Sequence, residues 1–397
     1  MAPSPGIRYD REERREDNTF DSERFAMAEK WRVPWVLSLL LLAAAPAAAQ
    51  SRLDVFTIGP VPVDVTAQSA SAARDLALVA GERSAFQMLF ERLTLAAERN
   101  AGRVRPPRVS GAQLADLVRG FEVASERRSG VRYIATYTFH FQPDGVRQLL
   151  SQAGVPFAET PSKPLLVLAV WREGDDVTLW DDPNPWRDAW ARAKLPPGLV
   201  PLVMPLGELG DVQAIDADAA INGDDARLQA VSARYDGADI LVAEAARDPG
   251  AASLAVTSAR YVPGTAGAAH TWTYDVPQPA GADPLPAAVL ETASRVEEAW
   301  KAANILDPRQ SGRLLVRVPA TTLGEWVAVR DRLNGIPAVR GLQLLSLDRG
   351  GARLEIAYAG DAAQLRTALA QRDLELSGSD PDWVLRRRLG GGSTVPR

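Results

Sequence analysis

Between residues 180 and 186 the chain reads Trp180-Asp181-Asp182-Pro183-Asn184-Pro185-Trp186, with Trp171 and Trp190 close by. Flat indole rings offer apolar area to a sugar ring or a peptide, and carboxylates beside them accept hydrogen bonds from hydroxyls or amides. Trp180, Asp181, Asp182 and Trp186 are therefore the candidate ligand-binding residues, and they suggest a carbohydrate or peptidoglycan ligand. The competing reading is a proline-fixed turn whose tryptophans pack over the following helix, because Trp186 and Trp190 stand one helical turn apart. Neighbouring acids also fit a carboxylate-dependent hydrolase. Glycoside hydrolysis, however, needs carboxyl groups facing each other across about 5 to 9.5 Å, which adjacency in sequence does not provide.

Other reactive residue types are sparse. The only histidines are His140 and His270, in separate strand-like runs, so a triad or a histidine metal site would have to use one of them. His140 lies between Phe139 and Phe141 and so projects from the opposite sheet face to those aromatics. No Gly-x-Ser-x-Gly elbow is present. The chain has no cysteine, which removes disulfides, thiolate metal ligands, a cysteine nucleophile and a lipidated N-terminal cysteine together.

The acidic stretch Asp216 to Asp225 fails as a calcium loop. Counting from Asp216, Ala220, Ile221 and Arg227 occupy positions that need an oxygen ligand, a glycine and a carboxylate. It reads instead as a short helix and a turn at Asn222-Gly223, with Asp224 or Asp225 capping the next helix. No phosphate loop is visible, since Arg349-Gly-Gly351 is a hairpin turn and Gly390-Gly-Gly392 belongs to the tail, and Arg386 to Arg388 read as a solvated end. The sequence thus assigns no catalytic residue, no metal site and no cofactor.

Met27 to Arg32 are followed by an apolar run from Val33 to Ala45 and by Ala47-Ala48-Ala49. Charged, apolar and small residues in that order make a secretory signal peptide over 27–49, cleaved after Ala49. The apolar run is shorter than the roughly 20 residues of a membrane span, so no stable span is expected after cleavage. The polar residues 1–26 read as a disordered extension or a misassigned start. The net charge of −5 shows no nucleic-acid footprint and no polybasic membrane patch. With roughly 350 residues after the signal, burial alone can hold the fold, in two or three domains.

Residues 50–160 form an N-terminal α+β domain. Leu53 to Val65 is an extended stretch whose Pro60 and Pro62 mark an edge strand. The apolar positions from Ala73 to Ala96 repeat at helical spacing, with Gly81 inside the helix. Two strands follow, Phe121 to Arg127 and Val131 to Phe141, turning at Ser129-Gly130, with Tyr133, Ala135, Tyr137, Phe139 and Phe141 on one face. A short helix from Pro143 to Gln152 closes the unit.

Residues 161–286 form a central α/β domain with a partly parallel sheet. Its interior strands are Leu165 to Trp171, Leu199 to Met204 and Asp239 to Ala243, completed by a hairpin over 252–262 and 268–276. Residues 287–389 comprise a linking helix and a C-terminal domain in the order strand-helix-strand-strand-helix-strand, the ferredoxin-like βαββαβ order. Residues 390–397 are a disordered tail. The fold class is α+β / α/β multi-domain.

The chain resembles a proteobacterial exported family catalogued as domain of unknown function number twenty sixty-six. The resemblance rests on Leu53 to Val65, on Ala72-Ala-Arg74 leading a long helix to Phe90-Glu-Arg92-Leu93, on Arg234-Tyr235-Asp-Gly-Ala238-Asp239, and on Tyr358-Ala-Gly360-Asp361. It implies an exported α/β protein and assigns no activity. The resulting expectation is a non-enzymatic periplasmic protein that binds other envelope components, whether envelope proteins or peptidoglycan. A carbohydrate- or peptidoglycan-binding protein using the Trp180–Trp186 turn, and an unrecognised carboxylate-dependent hydrolase, are the alternatives.

Overall fold

A computed structural model describes residues 54–388 apart from 249, 279, 280, 308, 309 and 380. The expected extension 1–26, the expected signal peptide 27–49 and the expected tail 390–397 lie outside the described residues. The fold is a mixed α+β arrangement of three sheets. No described helix is long and apolar enough to cross a membrane.

The first region runs β1 (Thr57–Thr66), α1 (Ala70–Leu93), α2 (Ala96–Asn100), α3 (Gly111–Leu117), β2 (Val118–Arg128), β3 (Arg132–Phe141) and α4 (Pro143–Gln152). Its sheet is antiparallel in the order β1-β3-β2, so the proline-bearing β1 is an edge. Ser69 starts α1 by accepting a hydrogen bond from the Ala72 N–H, and Thr94 ends it in extended conformation. Alternation along β3 buries Tyr133, Tyr137, Phe139 and Phe141 beneath α1, each contributing about 2–3 kcal/mol. Gly81 permits the close approach, because a Cβ there would stand 3.0 Å from the Phe139 ring and 3.2 Å from that of Tyr137. Arg92, buried at the far end of α1, donates to the carbonyls of Val55 and Thr57 and ties the helix to β1.

The central region contains β4 (Leu165–Glu173), β5 (Asp176–Thr178), α5 (Pro185–Arg192), β6 (Leu202–Val203), α6 (Leu209–Ala214), α7 (Ala217–Ile221), α8 (Asp225–Arg234), β7 (Asp239–Arg247), β8 (Ser253–Tyr261), β9 (His270–Pro277) and α9 (Leu285–Asn304). β4 pairs in parallel with β7 and β6, while β5, β8 and β9 join antiparallel. β4 is buried on both faces, as its unbroken apolar run requires. Leu165, Val167, Ala169 and Trp171 face a core shared with α5 and α9. Leu166, Leu168 and Val170 face a second core with α7 and α8. The expected strand over 199–204 shrinks to Leu202–Val203, because the N–H groups of Leu199 and Val200 are taken by the Glu297 carboxylate instead of a neighbouring strand.

The last region has β10 (Ser311–Val318), α10 (Leu323–Asn334), β11 (Val339–Asp348), β12 (Gly351–Ala359), α11 (Ala362–Ala370), β13 (Leu374–Ser377) and β14 (Trp383–Arg387). The chain does not stop at the sixth element of the expected order. β14 inserts parallel to β10 and displaces β13 to the sheet edge, giving the order β11-β12-β10-β14-β13. Arg386 and Arg387, expected in a solvated end, lie in this added strand and remain exposed.

One turn of α9 joins the first two regions. Glu298 accepts from the Ala96 N–H at 2.7 Å and pairs with Lys301 at 2.5 Å. The buried Lys301 ammonium donates to the carbonyls of Thr94 at 2.9 Å and Glu91 at 3.2 Å, at the C-terminal end of α1. The Trp300 indole N–H donates to Thr160 O at 2.7 Å. Around these contacts a single apolar core runs from Val55 to Trp300.

The connector to the last region is held by charge. Buried Glu159 pairs with Arg147 of α4 at 2.7 Å and with Arg340 of β11 at 3.5 Å, and Lys163 pairs with Asp373 at 2.7 Å. Burial raises the Glu159 pKa against the opposing pull of Arg147 and Arg340.

Because Lys301 is almost fully enclosed, replacing it by the similarly sized methionine removes the Glu298 ion pair and one donor from each of two helix-end carbonyls, which then keep only Arg99. Lys301→Met is expected to cost about 3–5 kcal/mol in urea unfolding. A loss below about 1 kcal/mol, the range of an exposed ion pair, would show that the residue is not the joint described.

Candidate functional site

The Trp180–Trp186 turn is built from the inside out. Asn184, itself buried, caps α5 by accepting from the Arg187 N–H, and its amide donates to the carbonyls of Ala169, Thr178 and Leu179. Pro185 then fits the first helical position, where no N–H is needed. Trp186 follows with 0% exposure, its indole N–H on Ala243 O at 2.9 Å and its ring edge-on to Trp190 at 5.5 Å. Trp171 is buried beneath the Arg247 guanidinium, 5.0 Å from its ring centroid.

Trp180 goes the other way. It packs against the core on the α7 and α8 side and donates to Ile215 O at 2.7 Å, with Gly207 against its ring. The two rings of the turn therefore lie on opposite sides of the central sheet. Asp182 is exposed and paired with Arg187 at 2.5 Å, and Asp181 is exposed. The turn thus sends Trp180 and Trp186 into different cores, and the ring of Trp186 has no face open to a ligand.

The remaining polar motifs have structural partners. Asp216 and Asp224 cap α7 and α8 through the N–H groups of Ala219 and Arg227. Arg234 and Tyr235 both donate to buried Asp211, which also accepts from the N–H groups of Gly207 and Glu208. Burial raises the Asp211 pKa, but hydrogen bonds from Arg234, Tyr235 and the Glu208 backbone outweigh it and hold the carboxyl below its ordinary 3.8. Gly360 has φ +85° and leads into Asp361, which caps α11 reciprocally with Gln364. His140 sits between Thr57 Oγ1 at 2.9 Å and Glu122 at 3.2 Å, and His270 packs tilted against Trp272 with ring centroids 4.3 Å apart. Among the described residues no group of three or more His, Cys, Asp or Glu is placed to hold a metal ion.

A different set of residues forms a cavity. Between the first turns of α1 and the end of β2 lies a space of about 300 Å³ lined by Ala70, Ser71, Arg74, Glu126, Arg128 and Tyr133. Cross-strand register puts Arg128 opposite Tyr133 and Glu126 opposite Ala135, on the α1 side of the sheet. The buried Tyr133 hydroxyl donates to Glu126 at 2.8 Å and accepts from Tyr137 at 3.3 Å. Burial, together with the Tyr133 hydrogen bond, pushes the Tyr137 phenol well above its ordinary range. Among the described residues neither Arg74 nor Arg128 has a carboxylate within ion-pair distance.

Sequence reading missed this group because its members lie 63 residues apart at the extremes, in a helix and a hairpin whose packing alone unites them. The available signal was the pairing of Arg128 with Tyr133 across the Ser129-Gly130 turn, at the end toward which α1 begins.

Compared with family models and with curated proteins, the chain matches none.

Two measurements follow from the packing. Trp186→Ala is expected to lose about 3–5 kcal/mol of unfolding free energy, against a small loss if the ring were a surface contact. Asp211 has a depressed pKa, so its contribution is present above pH 3.8 and is lost as pH falls through the lower folded value. Acid titration of stability should be shallower below pH 3.8 in Asp211→Asn than in the wild type. Parallel curves would exclude that linkage.

Proposed function

We propose that this protein is a non-enzymatic component of the cell envelope, exported to the periplasm by the 27–49 segment, which binds other envelope proteins through the free edges of its sheets. The observation that carries this reading is β2. It is an edge strand of eleven residues whose Phe121 and Val123 point to the α1 side, yet remain 40% and 41% exposed because α1 lies over β1 and β3. An uncovered edge with apolar side chains offers main-chain hydrogen bonds and side-chain pockets to an added strand.

β11, the edge of the last sheet, repeats the feature with Leu344, Leu345 and Leu347, each about half exposed. We read that region as a ferredoxin-like unit extended by β14, and the resemblance to the exported family belongs to the same proposal. The central region is read as a rigid spacer between the two edges.

A photo-crosslinking amino acid placed at Phe121 and at Leu345 in the producing cells tests this. One or more envelope proteins should be captured from both positions, and none from Arg83 on the exposed side of α1. Failure at both edges would remove the basis of the reading.

A further inference from the structure

The cavity lies at one end of the open edge. Phe121, Val123, Glu126 and Arg128 face the α1 side of the sheet, opposite Phe139, Tyr137, Ala135 and Tyr133 of β3. α1 lies over β1 and β3, which leaves this face of β2 open beside the helix. α3 packs against α1 ahead of β2, and Ala70, Ser71 and Arg74 wall the cavity at the opposite end. Phe121 is also ordered from beneath, edge-on to Tyr137 at 5.6 Å and tilted against Phe139 at 6.0 Å. The apolar part of the groove is therefore preformed.

Its charge is unbalanced at the cavity. Glu126 is engaged by the Tyr133 hydroxyl, while the guanidinium groups of Arg74 and Arg128 have no acidic partner. A surplus of one positive charge in a partly enclosed space favours a carboxylate, which two guanidinium groups recognise through charge-assisted hydrogen bonds. Arg128 is the last residue of β2, so an added strand finishes its ladder where the positive charge sits. A terminal carboxylate is the anion found at the end of a main chain.

Resting on the reading of β2 as a docking edge, we propose that the groove between α1 and β2 binds the free C-terminal end of an extended partner protein. The peptide adds a strand to β2, and its carboxylate lodges between Arg74 and Arg128. It runs parallel to β2, lays alternate apolar side chains on Phe121 and Val123, and spans about 23 Å, or about seven residues. Bulges at Arg119 and Ala124 interrupt the free edge. They discourage indiscriminate pairing and leave Ser125 to Arg128 as the regular stretch nearest the anion site.

The probe is a displayed library of random octapeptides with free C-terminal carboxylates, selected against the full mature chain. Selection should enrich peptides with apolar residues at alternate positions. The best of them, synthesised, should bind at least about tenfold more tightly than its C-terminal amide. Arg74→Ala and Arg128→Ala should each weaken the free acid by a similar factor with unchanged thermal unfolding, and Arg83→Ala should not. Bound peptide should slow amide exchange in β2 and leave β11 unchanged.

No enrichment, equal binding of acid and amide, full binding by the double arginine variant, or protection at β11 instead of β2 would each overturn the proposal. Crosslinking at Phe121 with no carboxylate dependence would sink this inference alone. Carboxylate-dependent peptide binding with no envelope protein captured at either edge would sink the broader reading instead.

Discussion

An ammonium group taken almost wholly out of water costs several kcal/mol unless a carboxylate and further acceptors surround it. Lys301 is 3% exposed and meets that requirement only where α9 crosses the end of α1, with Glu298 on its own helix and the carbonyls of Glu91 and Thr94 opposite. Moving α9 by a few ångströms would leave the buried ammonium without its acceptors opposite, while the two carbonyls would keep only Arg99. The neighbouring Glu297 adds a second fixed point by accepting from Leu199 and Val200. Burial raises its pKa against the pull of those two N–H groups and Lys301. Apolar packing supplies the bulk of the stabilisation across this junction, and these charges fix its register.

That junction decides what is left uncovered. α1 is committed at its C-terminal end to α9 and at its middle, through Gly81, to Tyr137 and Phe139. It cannot slide across to β2 without breaking both. The sheet order β1-β3-β2 then leaves β2 with one partner and with apolar side chains that the described chain covers only in part. An edge of this kind is a liability unless a partner uses it. The same rigidity places the first turns of α1 beside the end of β2, and so brings Arg74 and Arg128 to one cavity.

Much of this arrangement is legible in the residues. Alternation from Tyr133 to Phe141 marks a one-sided strand, helical spacing marks α1, and Asp224 caps the helix its position suggests. Local periodicity and capping chemistry carry that information. The failures occur where long-range partners decide. Leu199 and Val200 have the composition of a strand, but Glu297 takes their N–H groups. β14 follows a turn-rich stretch and ends in arginines, so nothing local distinguishes it from a tail, and only its parallel pairing to β10 makes it a strand. Trp186 has the residue type of a ligand platform and the burial of a core residue. The cavity needed the packing of α1 on the hairpin before Arg74 and Arg128 could be associated.

Amide hydrogen exchange of the free chain, resolved residue by residue, tests the central claim most directly, because it measures the junction and the open edge in one experiment. The N–H groups of Ala96, Leu199 and Val200 should open with the same free energy as those of Val167 and Leu241 in the central sheet, while the outward-facing N–H groups of β2 exchange orders of magnitude faster. Junction amides that exchange at loop rates, with the first and central regions showing separate opening energies, would contradict the account. So would β2 amides protected along both edges of the strand.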